Sequence, residues 1–222
     1  MALIDLKTTY EIVKKLRRKD ENVIIYGEPW IADDSPLSKD KRTTFGLQKG
    51  KDFAFFNPFF RNAIKGDNDD SSIGFVQGNM DKGSLEAGIC GSVYYNQKIQ
   101  GFCKNTNETI NYFNSHDNLI LQDKLLKTNA DIKTSTKLCF DLIMFSQGIP
   151  FFHCGNEFLR SKSLFKNTYN LPLEVNAVDW KLKKDNEEVY QYVKSLIEFR
   201  KMHSEFSIIK DEEIRKRIKF YD

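Results

Sequence analysis

Glu28 stands between Gly27 and Pro29, flanked at two residues' distance by Tyr26 and Trp30, at the end of the run Val-Ile-Ile-Tyr over 23–26. A carboxyl held against aromatic rings where a strand meets water loses part of its hydration. It then keeps its proton more readily than a solvated acid and suits proton donation to a leaving group. The same residue also reads as a helix N-cap or a surface-loop acid. Further along, His116, Asp117 and Asn118 set an imidazole, a carboxylate and an amide side by side. Together they can grip neighbouring hydroxyls of a sugar, and they read equally as a turn, which Asp and Asn cap readily. A metal-dependent phosphohydrolase also uses adjacent His and Asp, but it needs more histidines than His116, His153 and His203 provide at these spacings. Trp30, Tyr169 and Trp180 lie beside polar loop residues, where rings stack on apolar sugar faces and Asn170, Asn176 and Asp179 supply hydrogen bonds. Core and loop packing is the other reading of these rings in a chain with 18 Phe, 9 Tyr and 2 Trp.

The elements that position these side chains follow a strand and helix alternation. Residues 6–19 carry Leu6, Tyr10, Ile12, Val13 and Leu16 at helical spacing, and the strand over 23–26 follows. A polar loop runs over 32–50. A second strand over 53–56 stops at Asn57-Pro58, and 59–101 reads as Gly-rich short helices and loops. A third strand over 110–113 ends at Ser115-His116-Asp117-Asn118. The clearest helix covers 131–145, a fourth strand 148–152, a long loop 155–185 and a last amphipathic helix 187–202. Such alternation predicts an α/β fold with parallel pairing. The polar residues gather just past the C-terminal ends of the strands: Glu28 and Trp30, Asn57, 116–118 and 153–157. In a (β/α)8 barrel that rim carries the catalytic side chains, and four strands make half of one.

Totals exclude several classes. Across 222 residues, 40% are apolar and 29% charged, an ordinary globular composition. Thirty-four basic residues against 31 acidic ones leave a net charge of only +3, and the basic runs at 14–18 and 215–219 read as solvated helix faces, so nucleic acid is not expected as a partner. Cys90, Cys103, Cys139 and Cys154 form no CxxC pair, which favours free thiols and argues against zinc. No apolar run approaches about 18 residues, so no membrane partner is expected. The first residues lack the layout of a signal peptide, which makes the cytoplasm the default location.

Read in order, the blocks "YGEPW", "FFNPFFRNAIKGDNDDSSIGFVQG", "NYFNSHDNLILQDKL", "GIPFFHCGNEFLRSK", "NTYNLPLEVNAVDW" and "EEIRKRIKF" resemble the C-terminal half of the catalytic domain of type I pullulanases, members of the alpha-amylase superfamily. The resemblance covers nearly the whole chain. It implies a partial (β/α)8 TIM barrel, strands 5 to 8 with their helices, over 1–205, lacking the first four strands and the C-terminal β-sandwich, and the start of a truncated C-terminal region over 206–222. The activity implied is retaining hydrolysis of α-1,6-glucosidic linkages in pullulan, glycogen or branched dextrins, with an α-glucan substrate and no cofactor; calcium sites occur in the superfamily, but these residues offer no complete set of metal ligands. In that scheme a carboxylate nucleophile and a carboxylic acid stand about 5 to 5.5 Å apart. Glu28 matches the general acid/base and Asp117 the acid that stabilises the transition state. His116 and Asn118 match sugar contacts, Trp30 a subsite aromatic, and Tyr169 and Asn170 a loop that reaches toward the bound glucan.

The departures from the pattern carry as much meaning. The family's nucleophile is the Asp of a Phe-Asp that ends the fourth strand, a couple of residues before text like Met1-Ala2-Leu3-Ile4-Asp5. Asp5 aligns with a later residue and does not take its place, so this chain alone is expected to be inactive. Asn156 replaces an acid common in its block. A half barrel leaves the strand near Val23 and the strand near Ile149 with unpaired edges, which predicts association with a complementary half-barrel or with itself. A non-catalytic glucan-binding remnant is the alternative.

Overall fold

Four short strands pair side by side: β1 (Tyr26–Gly27), β2 (Ala54–Phe56), β3 (Thr109–Asn111) and β4 (Ile149–Pro150). They form one sheet in the order β1-β2-β3-β4, with every neighbour parallel. The structure, a computed structural model, describes residues 1–31, 34–79 and 81–221. Positions 32, 33, 80 and 222 lie outside the described residues, and with them the first two residues of the loop expected over 32–50 and the last of 206–222. The α/β class with parallel pairing is as expected. Because all four strands run the same way, the residues that follow them emerge along one edge of the sheet.

Helices connect and cover the strands: α1 (Leu6–Arg17), α2 (Pro58–Lys65), α3 (Lys82–Ile89), α4 (Leu121–Lys127), α5 (Ile132–Phe145), α6 (Leu173–Asn176), α7 (Lys181–Asp185), α8 (Glu187–Met202) and α9 (Asp211–Arg217). Capping fixes where several of them begin. Asp5 Oδ1 accepts from Thr8 N–H at 2.9 Å, so Asp5 starts α1. Asn57 Oδ1 accepts from Phe60 N–H at 3.0 Å and Pro58 occupies the first turn, which turns β2 into α2 within two residues. Asp131 caps α5 through Thr134 N–H at 2.6 Å.

The strands are shorter than the sequence predicts. The stretch expected over 23–26 enters the sheet only at its end, because residues 20–23 form a turn in which Asn22 N–H donates to Asp20 Oδ1 at 2.8 Å. Its pairing still reaches back one residue, where Ile25 O accepts from Ala54 N–H at 2.8 Å. The loop expected over 155–185 contains α6 and α7, and the helix α4 had no counterpart in the sequence reading.

The main core lies between the sheet and α2, α4, α5 and α8, where Phe60, Ile64, Phe113, Leu125, Phe140, Val189 and Val193 meet out of contact with water. A second cluster joins Cys90, Val93 and Cys103 to Ile214 of α9, and Tyr95 Oη donates to Ile218 O at 2.9 Å beside it. A third packs Val13 of α1 on Phe53 and Phe55. At the C-terminal edge of the sheet, an aromatic row runs across the strands: Tyr26, Tyr112 and Phe151 each meet Phe56 edge-on, with centroids 5.7, 5.0 and 5.1 Å away. Among the described residues no helix is long and apolar enough to cross a membrane.

Candidate active site

Glu28 is the residue immediately after β1, and Gly27 before it lies so close to the chain's start that a Cβ there would sit 2.9 Å from Met1 Cβ. Met1 thus packs under the turn that delivers Glu28. Across the sheet edge, the segment after β3 carries Tyr112, Ser115, Asp117 and Asn118, and the last of these adopts the left-handed conformation, φ 61°, that Asn tolerates. Glu28, Trp30, Asp117 and Asn118 line one cleft of ≈ 250 Å³ with Pro58, Arg61, Asn68, Tyr112 and Ser115. Four of the seven residues singled out in the sequence therefore meet at one place.

The other three lie around it. His116 Nε2 stands 3.3 Å from Asp117 Oδ1, so the imidazole braces the carboxylate from outside the cleft wall. Tyr169, 84% exposed, and Asn170 project from a loop that does not reach the cleft. Its base is nevertheless tied to the site. Lys162 Nζ donates both to His116 O at 2.8 Å and to Thr168 Oγ1 at 2.9 Å, and Thr168 Oγ1 in turn donates to Asn176 Oδ1 at 2.7 Å.

The desolvation expected around Glu28 is not supplied by this chain. Glu28 is exposed, and its aromatic neighbours are themselves open to water, Trp30 at 42%. Tyr112, 3% exposed, reports the local charge instead. Burial raises its hydroxyl above the ordinary phenol range, the Arg61 guanidinium opposes this, and the carboxylates of Glu28 and Asp117 add to it. Both acids of the cleft therefore act on the same hydroxyl. His153, past the end of β4, is driven down to about 4, first by burial and then by Arg160, Lys162 and His116. A neutral imidazole follows at neutral pH. Among the described residues no three His, Cys, Asp or Glu side chains gather as metal ligands.

Arg61, Asn68 and Tyr112 were not anticipated as site residues. Arg61 had one legible signal: Asn57-Pro58 fixes the start of α2, and the helical turn then brings the residue one turn on back to the strand end. Nothing in the sequence marks Asn68 apart from its polar neighbours.

No family model matches the chain. A search of characterised proteins finds pullulanase from Bacillus subtilis (strain 168), 26% identical over 225 residues, covering 98% of this chain and 31% of that protein. Among solved structures, pullulanase from Bacillus acidopullulyticus superimposes on 100% of the chain with TM-score 0.93 and 35% identity. This chain is a pullulanase homologue throughout its length. Pullulanase from Paenibacillus barengoltzii, in complex with maltohexaose and alpha-cyclodextrin, gives TM-score 0.94 at 31% identity and again covers 100% of the chain. The chain spans about a third of the pullulanases it matches: 31%, 28% and 35% of the three. Pullulanase homology thus extends across all 222 residues and corresponds to a small part of a full-length enzyme.

Proposed function

We propose that these residues form the general-acid side of a debranching glycoside hydrolase site, and that the four strands are strands 5 to 8 of a (β/α)8 barrel over 1–205, followed at 206–222 by the start of a C-terminal region. The substrate is an α-glucan branched or linked through α-1,6 bonds, as in pullulan, glycogen or branched dextrins. The observation that carries this reading is the shared cleft of Glu28, Asp117 and Trp30 on the C-terminal edge of a parallel sheet, where such folds place their chemistry. The Paenibacillus relative bound to maltohexaose supports a glucan as the occupant.

In the reaction, Glu28 protonates the glycosidic oxygen as the bond to the anomeric carbon breaks. A carboxylate nucleophile attacks that carbon from the opposite face to give a glycosyl-enzyme, and Glu28 then takes a proton from the water that releases it. Asp117 holds sugar hydroxyls and stabilises the oxocarbenium-like charge, with His116 and Asn118 beside it, while Trp30 forms an apolar wall for a sugar ring. Tyr169 and Asn170 contact the glucan beyond the cleft. Among the described residues Glu28 and Asp117 are the only acids that line the cleft, and the nucleophile in this reading is supplied from outside them. These 222 residues alone then bind glucan without cleaving it, because loss of a nucleophile costs several orders of magnitude in rate. A complementary half-barrel pairing with β1 and β4, or a second copy, closes the sheet and dries Glu28. No cofactor takes part, and the cytoplasm is the default location.

Pullulan gel electrophoresis and a reducing-sugar assay test this together. The purified chain should be retarded by pullulan and release no reducing ends, and co-expression with a segment carrying strands 1 to 4 and the Phe-Asp should restore hydrolysis that Glu28→Gln abolishes. Release of reducing ends by the chain alone would refute the inactivity. Absence of retardation would refute glucan binding, and retardation with no restored turnover would favour a non-catalytic glucan-binding protein.

A further inference from the structure

Lys65 ends α2, one hydrogen bond away from the cleft-lining Asn68, and is wholly buried, 0% exposed. Its ammonium makes one hydrogen bond among the described residues, Nζ to Asn68 Oδ1 at 3.1 Å. A buried cation without a carboxylate partner is costly, and an apolar side chain of the same length would fill the space more cheaply. What the charge achieves is visible in the next two contacts. Asn68 Nδ2 donates to Asn118 Oδ1 at 2.9 Å, and Asn118 Nδ2 donates to Asp69 Oδ2 at 2.8 Å.

The chain of bonds has one sense only. An ammonium can only donate, so Asn68 must turn its oxygen to Lys65 and its NH2 to Asn118. An ionised carboxylate can only accept, so Asn118 must turn its NH2 to Asp69 and its oxygen to Asn68. Both ends impose the same orientation on the two amides. Asp69 is fixed as well, since its other oxygen accepts from Leu119 N–H at 3.1 Å and its backbone carbonyl accepts from Lys127 Nζ. Lys124 Nζ donates to Asp70 O at 2.9 Å one residue further on. Gly74 presses on the same turn: a Cβ there would lie 2.4 Å from Lys65 N.

We propose that Lys65 is a positioning residue for the cleft, setting the amides of Asn68 and Asn118 so that they present one fixed donor and acceptor pattern to a bound sugar. The ligand's identity rests on the glucan reading above; the coupling of Lys65 to the amides does not. The groups facing Lys65 are Arg61 on its own helix, Lys124 on α4, Cys139 on α5 and Asp67 in the following loop. Burial, then the like charges of Arg61 and Lys124, bring its ammonium down from 10.5 to about 7. Burial raises the Cys139 thiol far out of the neutral range, so it stays protonated while Lys65 titrates. A neutral amine can accept as well as donate, so its hold on Asn68 weakens and the Asp69 end alone sets the sense of the chain.

Side-chain amide resonances of Asn68 and Asn118, followed by NMR from about pH 5.5 to about 9, test the coupling without a variant, and maltotriose titrations test its effect on the site. In the wild type both amides should shift with one common midpoint near 7. In Lys65→Met they should be insensitive to pH over this range, with maltotriose affinity reduced about fivefold, the scale of one hydrogen bond. Lys65→Gln, which keeps a donor, should recover most of that affinity. Amide signals that stay flat in the wild type, or unchanged affinity in Lys65→Met, would overturn the assignment. A wild type that ignores maltotriose but shows the coupled amide titration would sink the glucan reading and support the role of Lys65.

Discussion

Arg61 Nη1 donates to the Tyr112 hydroxyl at 3.0 Å while the guanidinium carbon stands 5.7 Å from the centroid of the same ring. One cation thus holds both the polar tip and the face of a buried tyrosine in the cleft that Glu28 and Asp117 also line. Tyr112→Phe keeps the ring and deletes the acceptor. Its urea midpoint should fall by the equivalent of about 1 kcal/mol, a loss that Arg61→Met would largely abolish in a double-mutant cycle.

Asn57 joins three elements from a fully buried position. Its Oδ1 caps α2, and its Nδ2 donates to Ser92 Oγ at 2.7 Å and to Thr109 Oγ1 of β3 at 3.3 Å. Asn57→Ala removes the cap and leaves Ser92 Oγ without its donor, while Thr109 Oγ1 keeps its bond to Asn111 Oδ1. Chemical denaturation should show a loss of about 2 kcal/mol.

Gly88 lets α3 approach α2. A Cβ at this position would fall 1.9 Å from Phe60 Cδ2, far inside contact distance. Gly88→Ala should cost about 2 kcal/mol as an overpacked core. Adding Phe60→Leu, measured by the same unfolding curves, should return part of it, because the two positions share one space.

Stability should depend on pH through two depressed bases. Lys65 is held at about 7 in the folded chain against 10.5. Between those values the unfolded chain carries more protons, so unfolding free energy rises with pH, by about 1.4 kcal/mol per unit for this group. Lys65→Met should lack that rise in denaturation curves across the window. His153, lowered from 6.5 to about 4, has the same sign at lower pH: its contribution is full above 6.5 and is lost as the pH falls toward 4. His153→Gln should flatten that limb.

The sheet and much of the cleft could be read from the chain because they depend on local signals. Parallel pairing followed from alternation, α8 from its amphipathic period, and the meeting of Glu28 with Asp117 from both following strands of one sheet. What escaped was tertiary. Asn68 matters because Lys65 and Asn118 reach it, a relation spanning residues 65 to 118 that no periodicity encodes. The expected drying of Glu28 failed for a related reason: Tyr26 and Trp30 are neighbours in sequence, yet their rings leave the carboxyl open to water. Helix α4 went unseen because it is only seven residues long and begins without a side-chain cap.

Arg200, near the end of α8, reaches back to the sheet. Nη1 donates to Met144 O and to Ser146 O at 2.8 Å, and Nη2 donates to Gly148 O at 2.8 Å and to Phe206 O at 2.7 Å. Four backbone carbonyls hang from one side chain: the last turn of α5, the approach to β4 and the segment after α8. A lysine, with a single nitrogen and three protons, cannot span them. The guanidinium is therefore a knot in the chain's wiring. A nick or substitution just past Met202, remote from any sugar, would slacken β4 and reach His153 at the rim through the backbone.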